Sequence, residues 1–268
     1  MSTTPNILDK IIAQKRLEVA ERKELYPVRL LEKSLYFDST PVSMRKYIQR
    51  PDLSGIIAEF KRKSPSKGII HAHAPVERTT IGYMQAGASA LSVLTDKPFF
   101  GGSNEDLTLA RRFNFCPIIR KDFTIDEYQV LEAKSIGADA ILLIAAVLTA
   151  TESKTLAALA HSLGMEVLLE VHDEAELQAN LEVGADMIGV NNRNLKTFEV
   201  SIEISKRLAP LIPASVVKIS ESGISSPETI RILREVGYEG FLMGESFMKH
   251  SRPEKAALEF IEQLTTRV

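Results

Sequence analysis

The residues best suited to chemistry in this sequence are charges placed at the ends of short apolar runs. Glu59 and Lys61 follow Ile57, Lys121 follows Ile119, Glu170 follows Leu168, Asn191 and Arg193 follow Gly189, and Glu221 follows Ile219. Side chains alternate between the two faces of a strand, so each charge shares the face of the apolar residue two positions earlier. Three carboxylates, two amines, one guanidinium and one amide would then point the same way. Acids and bases crowded together shift one another's proton affinities, which lets a lysine donate and a glutamate accept a proton near neutral pH. Each charged end taken alone also reads as the ordinary polar termination of a strand. Five ends of one parity are harder to explain in that way.

A second kind of chemistry is legible in the turns. Ser64-Pro65-Ser66-Lys67-Gly68 breaks the first strand with hydroxyls, backbone donors and ammonium groups, which suits a phosphorylated substrate. The alternative is a solvated charge run on an edge strand. Ser220-Glu221-Ser222-Gly223-Ile224 and Met243-Gly244-Glu245-Ser246 are glycine-containing strand-to-helix turns of the kind that hold phosphate on backbone N–H groups. In the second turn the backbone of Glu245 would donate while its carboxylate points away. Phe99 and Phe100 read as either a ligand cover or a core cap. His71 and His73 have a metal-like spacing but no carboxylate or cysteine partners nearby in sequence, so no metal is expected. Asn192 and Asn194 would shape the turn around Arg193. Lys218 falls on the opposite face from Val217 and Ile219, and the pattern supplies no reason for it beyond snorkelling to the surface.

The elements that must position these groups are strands alternating with helices. Apolar runs at 56–60, 90–94, 116–121, 140–144, 166–171, 187–191, 216–220 and 240–243 are each followed by a helical pattern, which argues for a parallel sheet with crossover helices. Helices ending in Gly87, Gly137, Gly184 and Gly237 precede every second strand, a recurring left-handed cap with a two-unit pitch. Eight units of this size predict an α/β fold, a (β/α)8 TIM barrel, whose active site lies where the strands end. A doubly wound open sheet is the alternative, but no Gly-x-Gly-x-x-Gly follows any strand. About 50 residues precede the repeat. Helical spacing of Ile7, Leu8, Ile11 and Ile12 predicts a helix over 6–26 with a mostly wet second half. Two shorter segments follow, around 30–37 and 44–48. The whole chain, 1–268, is thus expected to be one barrel domain with an N-terminal helical extension acting as a lid or plug for one end.

Composition excludes several classes. A net charge of −2 offers no field for nucleic acid or an anionic membrane. Cys116 is the only cysteine, so no intrachain disulfide is expected, and its apolar setting predicts a buried, inert thiol. No signal peptide is legible, and the longest apolar run, 140–148, is too short to span a bilayer. A cytoplasmic protein, monomeric or weakly homo-oligomeric, is the expectation.

The motifs resemble the indole-3-glycerol phosphate synthase family. The matching stretches are 59–68, Ser92-Val93-Leu94-Thr95-Asp96, Arg120-Lys121-Asp122-Phe123, Leu169-Glu170-Val171-His172, 189–195 and 220–224. The resemblance implies ring closure of 1-(2-carboxyphenylamino)-1-deoxyribulose 5-phosphate with loss of carbon dioxide and water, without cofactor or metal. It implies Lys121 as general acid, Glu170 as base and Lys61 as the group holding the substrate carboxylate, with proton donation either left to Lys121 or shared with Lys61. Glu59 would orient Lys61, and Asn191 would orient Glu170. Arg193 and Glu221 would complete the polar shell, with Glu221 on the sugar hydroxyls. Phosphate would rest on Ser64, Ser222, Gly223, Gly244 and Glu245, and Phe123 and Leu195 would flank the anthranilate ring. Two rivals differ in chemistry: a lyase using Lys121 as a Schiff-base nucleophile, and a non-catalytic barrel that binds a phosphorylated metabolite or a partner subunit.

Overall fold

Alternating apolar runs and helical patterns resolve, in a computed structural model describing residues 6–194 and 197–265, into a closed barrel. Its parallel strands are β1 (Ile56–Phe60), β2 (Ala90–Leu94), β3 (Ile118–Lys121), β4 (Ala140–Ile144), β5 (Glu166–Val171), β6 (Met187–Asn191), β7 (Val217–Glu221) and β8 (Gly240–Met243). Each pairs with its sequence neighbours, and β1 closes the ring against β8 through Ile56–Phe241, Ile57–Leu242 and Ala58–Met243. Two strands start later than the apolar pattern suggested. The ladder of β3 begins at Ile118, because Pro117 has no N–H to donate, although its carbonyl accepts from Leu91 at 3.0 Å. That of β7 runs from Val217 to Glu221, shifted one residue later than the expected range at both ends.

Strand alternation separates the apolar residues into two layers. Ile57, Ile119, Leu142, Leu168, Met187, Ile219 and Leu242 pack inside the barrel. Their sequence neighbours, including Ala58, Ile118, Leu143 and Ile188, pack against the helices outside. The strands are therefore buried on both faces, which leaves the strand ends as the place for uncommitted charge. The four expected glycine caps are left-handed, with φ between +84° and +94°.

The N-terminal extension serves both ends of the barrel, where a single end was expected. Helix α1 (Ile7–Leu25) starts on a reciprocal capping box between Asn6 and Asp9 and reaches the mouth, where Ile7, Leu8 and Ile11 line the main cavity. Helix α2 (Val28–Leu31) is a single turn. Helix α3 (Met44–Ile48) inserts Met44 and Ile48 into the interior layer at the opposite end. Five residues cannot hold a helix alone. Burial of these two side chains, about 1.5–3 kcal/mol each, supplies what the helix lacks, and Ser43 caps it through Lys46 N–H. The plug is tied down by Glu166 of β5, which accepts from Ser43 Oγ at 2.5 Å and Arg45 N–H at 2.9 Å.

Candidate active site

Five strand ends deliver their charges to one place. Glu59, Lys61, Lys121, Glu170, Asn191, Arg193 and Glu221 all line a cavity of about 640 Å³ at the C-terminal mouth of the barrel. Lys121 is the hub: its Nζ lies 3.0 Å from Glu170 Oε2 and 3.2 Å from Glu221 Oε2. Lys61 pairs with Glu59 at 2.6 Å, and Glu59 also accepts from Ser92 Oγ at 3.2 Å. Asn191 donates to Glu170 Oε1 at 3.2 Å and accepts the Arg193 N–H at 3.0 Å. The amide is therefore held in the orientation that presents its N–H to Glu170.

Proton affinities in this cluster diverge. Burial alone would strip Lys121 of its charge, but Glu170, Glu221 and Glu59 outweigh it and hold the ammonium well above the usual lysine range. Burial alone would protonate Glu170, yet Lys121 and His172 hold it well below the usual carboxylate range. For Glu221 burial wins: with Glu170 as a further repulsion, and despite Lys121, its pKa is pushed up to about 7. One ammonium thus sits between an ionised carboxylate and a carboxyl poised to hold a proton. Glu221 Oε1 has no hydrogen-bond partner and lies where a Cβ on residue 189 would fall, at 2.2 Å, so only glycine leaves room there.

The cavity has two unlike walls. Phe100 and Phe123 stack at a tilt with centroids 5.9 Å apart and, with the α1 residues, form an apolar side. Phe100 therefore belongs to the cavity wall, one of the two roles the sequence left open for it. The opposite side is made of turns: Ser64, Ser222, Gly223, Gly244 and Glu245 all line it. Ser222 adopts φ +67°, a conformation non-glycine residues seldom hold without a reason. Asn192 pins this turn, donating to Ser222 O at 3.1 Å and Ser220 Oγ at 2.9 Å. The carboxylate of Glu245 does not turn away as expected. It reaches Lys67 at 3.5 Å and Arg193 at 3.7 Å, because those two cations flank it from facing loops. The sides of the cavity suit an aromatic ring and a phosphate, with acid–base groups between them.

Other expectations resolve individually. Leu195 lies outside the described residues. Lys218 donates to Ala209 O at 2.7 Å, satisfying a carbonyl at the end of the helix Glu203–Leu208 in place of snorkelling. Cys116 is buried, and burial pushes its thiol up to about 12. Among the described residues no group of three potential metal ligands clusters, at His71 and His73 or elsewhere, and no helix is long and apolar enough to cross a membrane.

Sequence reasoning missed Lys15. It was read as part of the wet half of α1, yet it is buried and bonded to Asp96 and Asp122 at 3.0 Å each and to Glu18 at 2.8 Å. The available signal was its position four residues after Ile11 and four before Val19, on the buried stripe of the helix. It also passed over His172, whose Nε2 lies 3.3 Å from Glu170 Oε1.

Fold and mouth together define a class: a (β/α)8-barrel enzyme with an acid–base floor and a cavity suited to a phosphorylated aromatic compound. A family model described as indole-3-glycerol phosphate synthase matches residues 8–260. Proteins of that name from Bacteroides thetaiotaomicron and Polaromonas naphthalenivorans are 49% and 44% identical, over 97% and 95% of this chain and 99% and 98% of their own. A solved structure of 3-hexulose-6-phosphate synthase from Salmonella typhimurium shares the barrel, with a TM-score of 0.61 at 13% identity over 78% of this chain and 97% of its own. This chain belongs to the indole-3-glycerol phosphate synthase family. It is accordingly a lyase of tryptophan biosynthesis, a carboxy-lyase.

Proposed function

We propose that the chain converts 1-(2-carboxyphenylamino)-1-deoxyribulose 5-phosphate to indole-3-glycerol phosphate with the labour divided as follows. The anthranilate ring lies against Phe100 and Phe123, and the phosphate rests on Ser64, Ser222, Gly223, Gly244 and the backbone of Glu245. Lys67 and Arg193 there set two cations against the one carboxylate of Glu245. This span places the ketone over Lys121. Lys61 receives the substrate carboxylate, and Glu59 orients Lys61.

Ring closure drives negative charge onto the ketone oxygen, and the buried ammonium of Lys121 stabilises that charge and protonates it. An alkoxide is far more basic than an amine, so the transfer is favourable even from a lysine that binds its proton tightly. The carboxylate then leaves as carbon dioxide, its electrons quenching the cationic nitrogen that ring closure created, with Glu59 nearby to stabilise that cation. In the final step Lys121, reprotonated, gives the hydroxyl the proton with which it departs as water, and Glu170 takes the proton from the carbon beside nitrogen. Asn191 keeps Glu170 oriented for this, and the unpartnered oxygen of Glu221 accepts from a sugar hydroxyl.

The observation carrying this reading is the placement of one ammonium within 3.2 Å of two carboxylates of divergent proton affinity. The same placement disfavours a Schiff-base lyase, since an amine kept protonated is a poor nucleophile. Indole fluorescence appearing on incubation with the substrate, without added metal, tests the activity. For Glu170→Gln we expect ring closure to proceed and dehydration to stall; a pH–rate profile like the parent's would exclude Glu170 as the base. Adduct trapped by borohydride at Lys121 would favour the Schiff-base alternative. The same reading takes the chain to work in the cytoplasm as a monomer or weak homo-oligomer.

A further inference from the structure

The reaction has a proton deficit. Its substrate carries a carboxylate that departs as neutral carbon dioxide, so the anion plus one proton gives product, carbon dioxide and water. Ring closure protonates the ketone oxygen, and loss of water protonates the resulting hydroxyl. Only one proton comes back, from the carbon beside nitrogen to the base. Two donated and one recovered leave one to be drawn from solvent in every turnover. Glu170 can return its captured proton directly to Lys121, 3.0 Å away. Both are given before the one is recovered, so the other must reach Lys121 while substrate fills the cavity and separates these two groups from the opening.

The structure offers a path on the other side of Glu170. Its Oε1 lies within ion-pair distance of His172 Nε2, at 3.3 Å, and this buried nitrogen has no hydrogen-bond partner. The ring's Nδ1 lies 3.1 Å from Oε2 of Glu176, on the helix Glu174–Asn180. Glu176 Oε2 also accepts the backbone N–H of His172 at 2.7 Å, which fixes the pair. Exposure rises along this line, from 6% for the side chain of Glu170 to 11% for His172 and 22% for Glu176. Neither His172 nor Glu176 lines the cavity, so substrate does not block the path. The charged groups facing the imidazole are Glu170 from its own strand and Glu176 from the helix; their pull overcomes burial and holds the ring's pKa up to about 10.

We propose that His172, recharged through Glu176, delivers to Glu170 and Lys121 the proton that each turnover takes from solvent. Nε2–H of the imidazolium passes its proton to Glu170, whose carboxyl reprotonates the amine of Lys121. A ring flip brings the bare nitrogen to Glu176, which hands on a proton taken from water. Lys121 binds a proton more tightly than the imidazole, so the overall transfer is downhill although the intervening carboxyl is occupied only in passing. The proposal rests on the acid and base roles given above.

Single-turnover rapid mixing with the substrate and a pH-indicator dye reads both product and proton uptake. In the parent protein one proton should disappear per product formed, at the same rate. In His172→Gln both signals should slow about tenfold or more, less than the roughly 10²–10⁴-fold that general acid–base catalysis itself contributes, with substrate affinity unchanged. Added imidazole should restore them in a concentration-dependent way. Glu176→Gln should show a smaller loss with the same rescue. An unchanged rate in His172→Gln overturns the relay. So does a slowed rate that imidazole fails to restore, which would make His172 a residue that only holds Glu170 in place. Lys121→Met and Glu170→Gln separate the two levels. If they turn over normally, the acid–base assignment itself fails; if they are inactive with and without imidazole while His172→Gln behaves like the parent, only the relay fails.

Discussion

Arg120, Lys121 and Asp122 are consecutive, yet they belong to two charge clusters on opposite sides of β3. Outside the barrel, Arg120 spends its guanidinium on Thr95 Oγ1, Gln129 O, Asn104 Oδ1, Asp122 and Glu132. Asp122 accepts from Thr95 and pairs with Lys15 of α1, which also holds Asp96. Glu132 receives a second cation, Arg22 of α1. Inside the barrel the groups have fewer partners: Lys121 has two carboxylates, Lys61 has one, and Glu221 has an oxygen with none. A buried charge is tolerated only when paired and hydrogen-bonded. The outer cluster meets that condition from within the protein and serves to seat α1 over the mouth. The inner one meets it only in part, and the remaining valence is what a substrate can use.

The sharpest test of this contrast is Lys121→Met. We expect product formation to fall by roughly 10²–10⁴-fold or more while substrate affinity measured by calorimetry is largely kept, because the donor acts mainly in the transition state. Turnover like the parent's would dissolve the distinction. On the outer side Lys15→Met leaves Asp96 and Asp122 short of a cation, and breaking a buried pair from one side costs about 3–5 kcal/mol. Urea unfolding should register that loss, with KM rising as α1 loses its seat. A stability equal to the parent's would show that the outer cluster is not structural.

A pH series sharpens the inner side. The folded protein holds a proton on Glu221 up to about pH 7 that the unfolded chain loses near its ordinary 4.5. Folded protein binds more protons in that window, so this group makes stability fall as pH rises through it, by up to roughly 1.4 kcal/mol per pH unit. Glu170 acts in the opposite sense: its depressed pKa contributes stability present above the usual glutamate range and lost as pH falls below it. Glu221→Gln should flatten the decline between pH 4.5 and 7 in urea unfolding, and an unaltered slope would refute the assignment. The smallest effect is expected where charges are solvated: removing Glu203, paired with Lys206 on a helix surface, should change stability by less than about 1 kcal/mol.

Much of the inner cluster was legible because it rests on a local rule. A period of two, applied to runs ending in Glu59, Lys121, Glu170, Asn191 and Glu221, places each side chain inward whatever the neighbouring strands do. Applied to Arg120 and Asp122, which the sequence reading left without a role, the same rule faces them outward but cannot say what meets them. Their partners Lys15 and Glu132, and the Arg22 that Glu132 also holds, come from two helices whose packing no strand pattern encodes. Lys15 was misread because charge on a helix ordinarily marks the wet face, and a buried lysine is affordable only with carboxylates that lie far off in sequence.

Periodicity, turn residues and the order of motifs, all properties of neighbours along the chain, were enough to establish eight strand–helix units and the facing of their terminal charges. Distances between strands were not among those properties. That Glu170 meets Lys121 on one oxygen and His172 on the other, that Glu245 faces Lys67 and Arg193, and that α1 and α3 take opposite ends of the barrel all depend on closure and register. Those bring together groups up to a hundred or more residues apart, and only the folded chain sets how near they come.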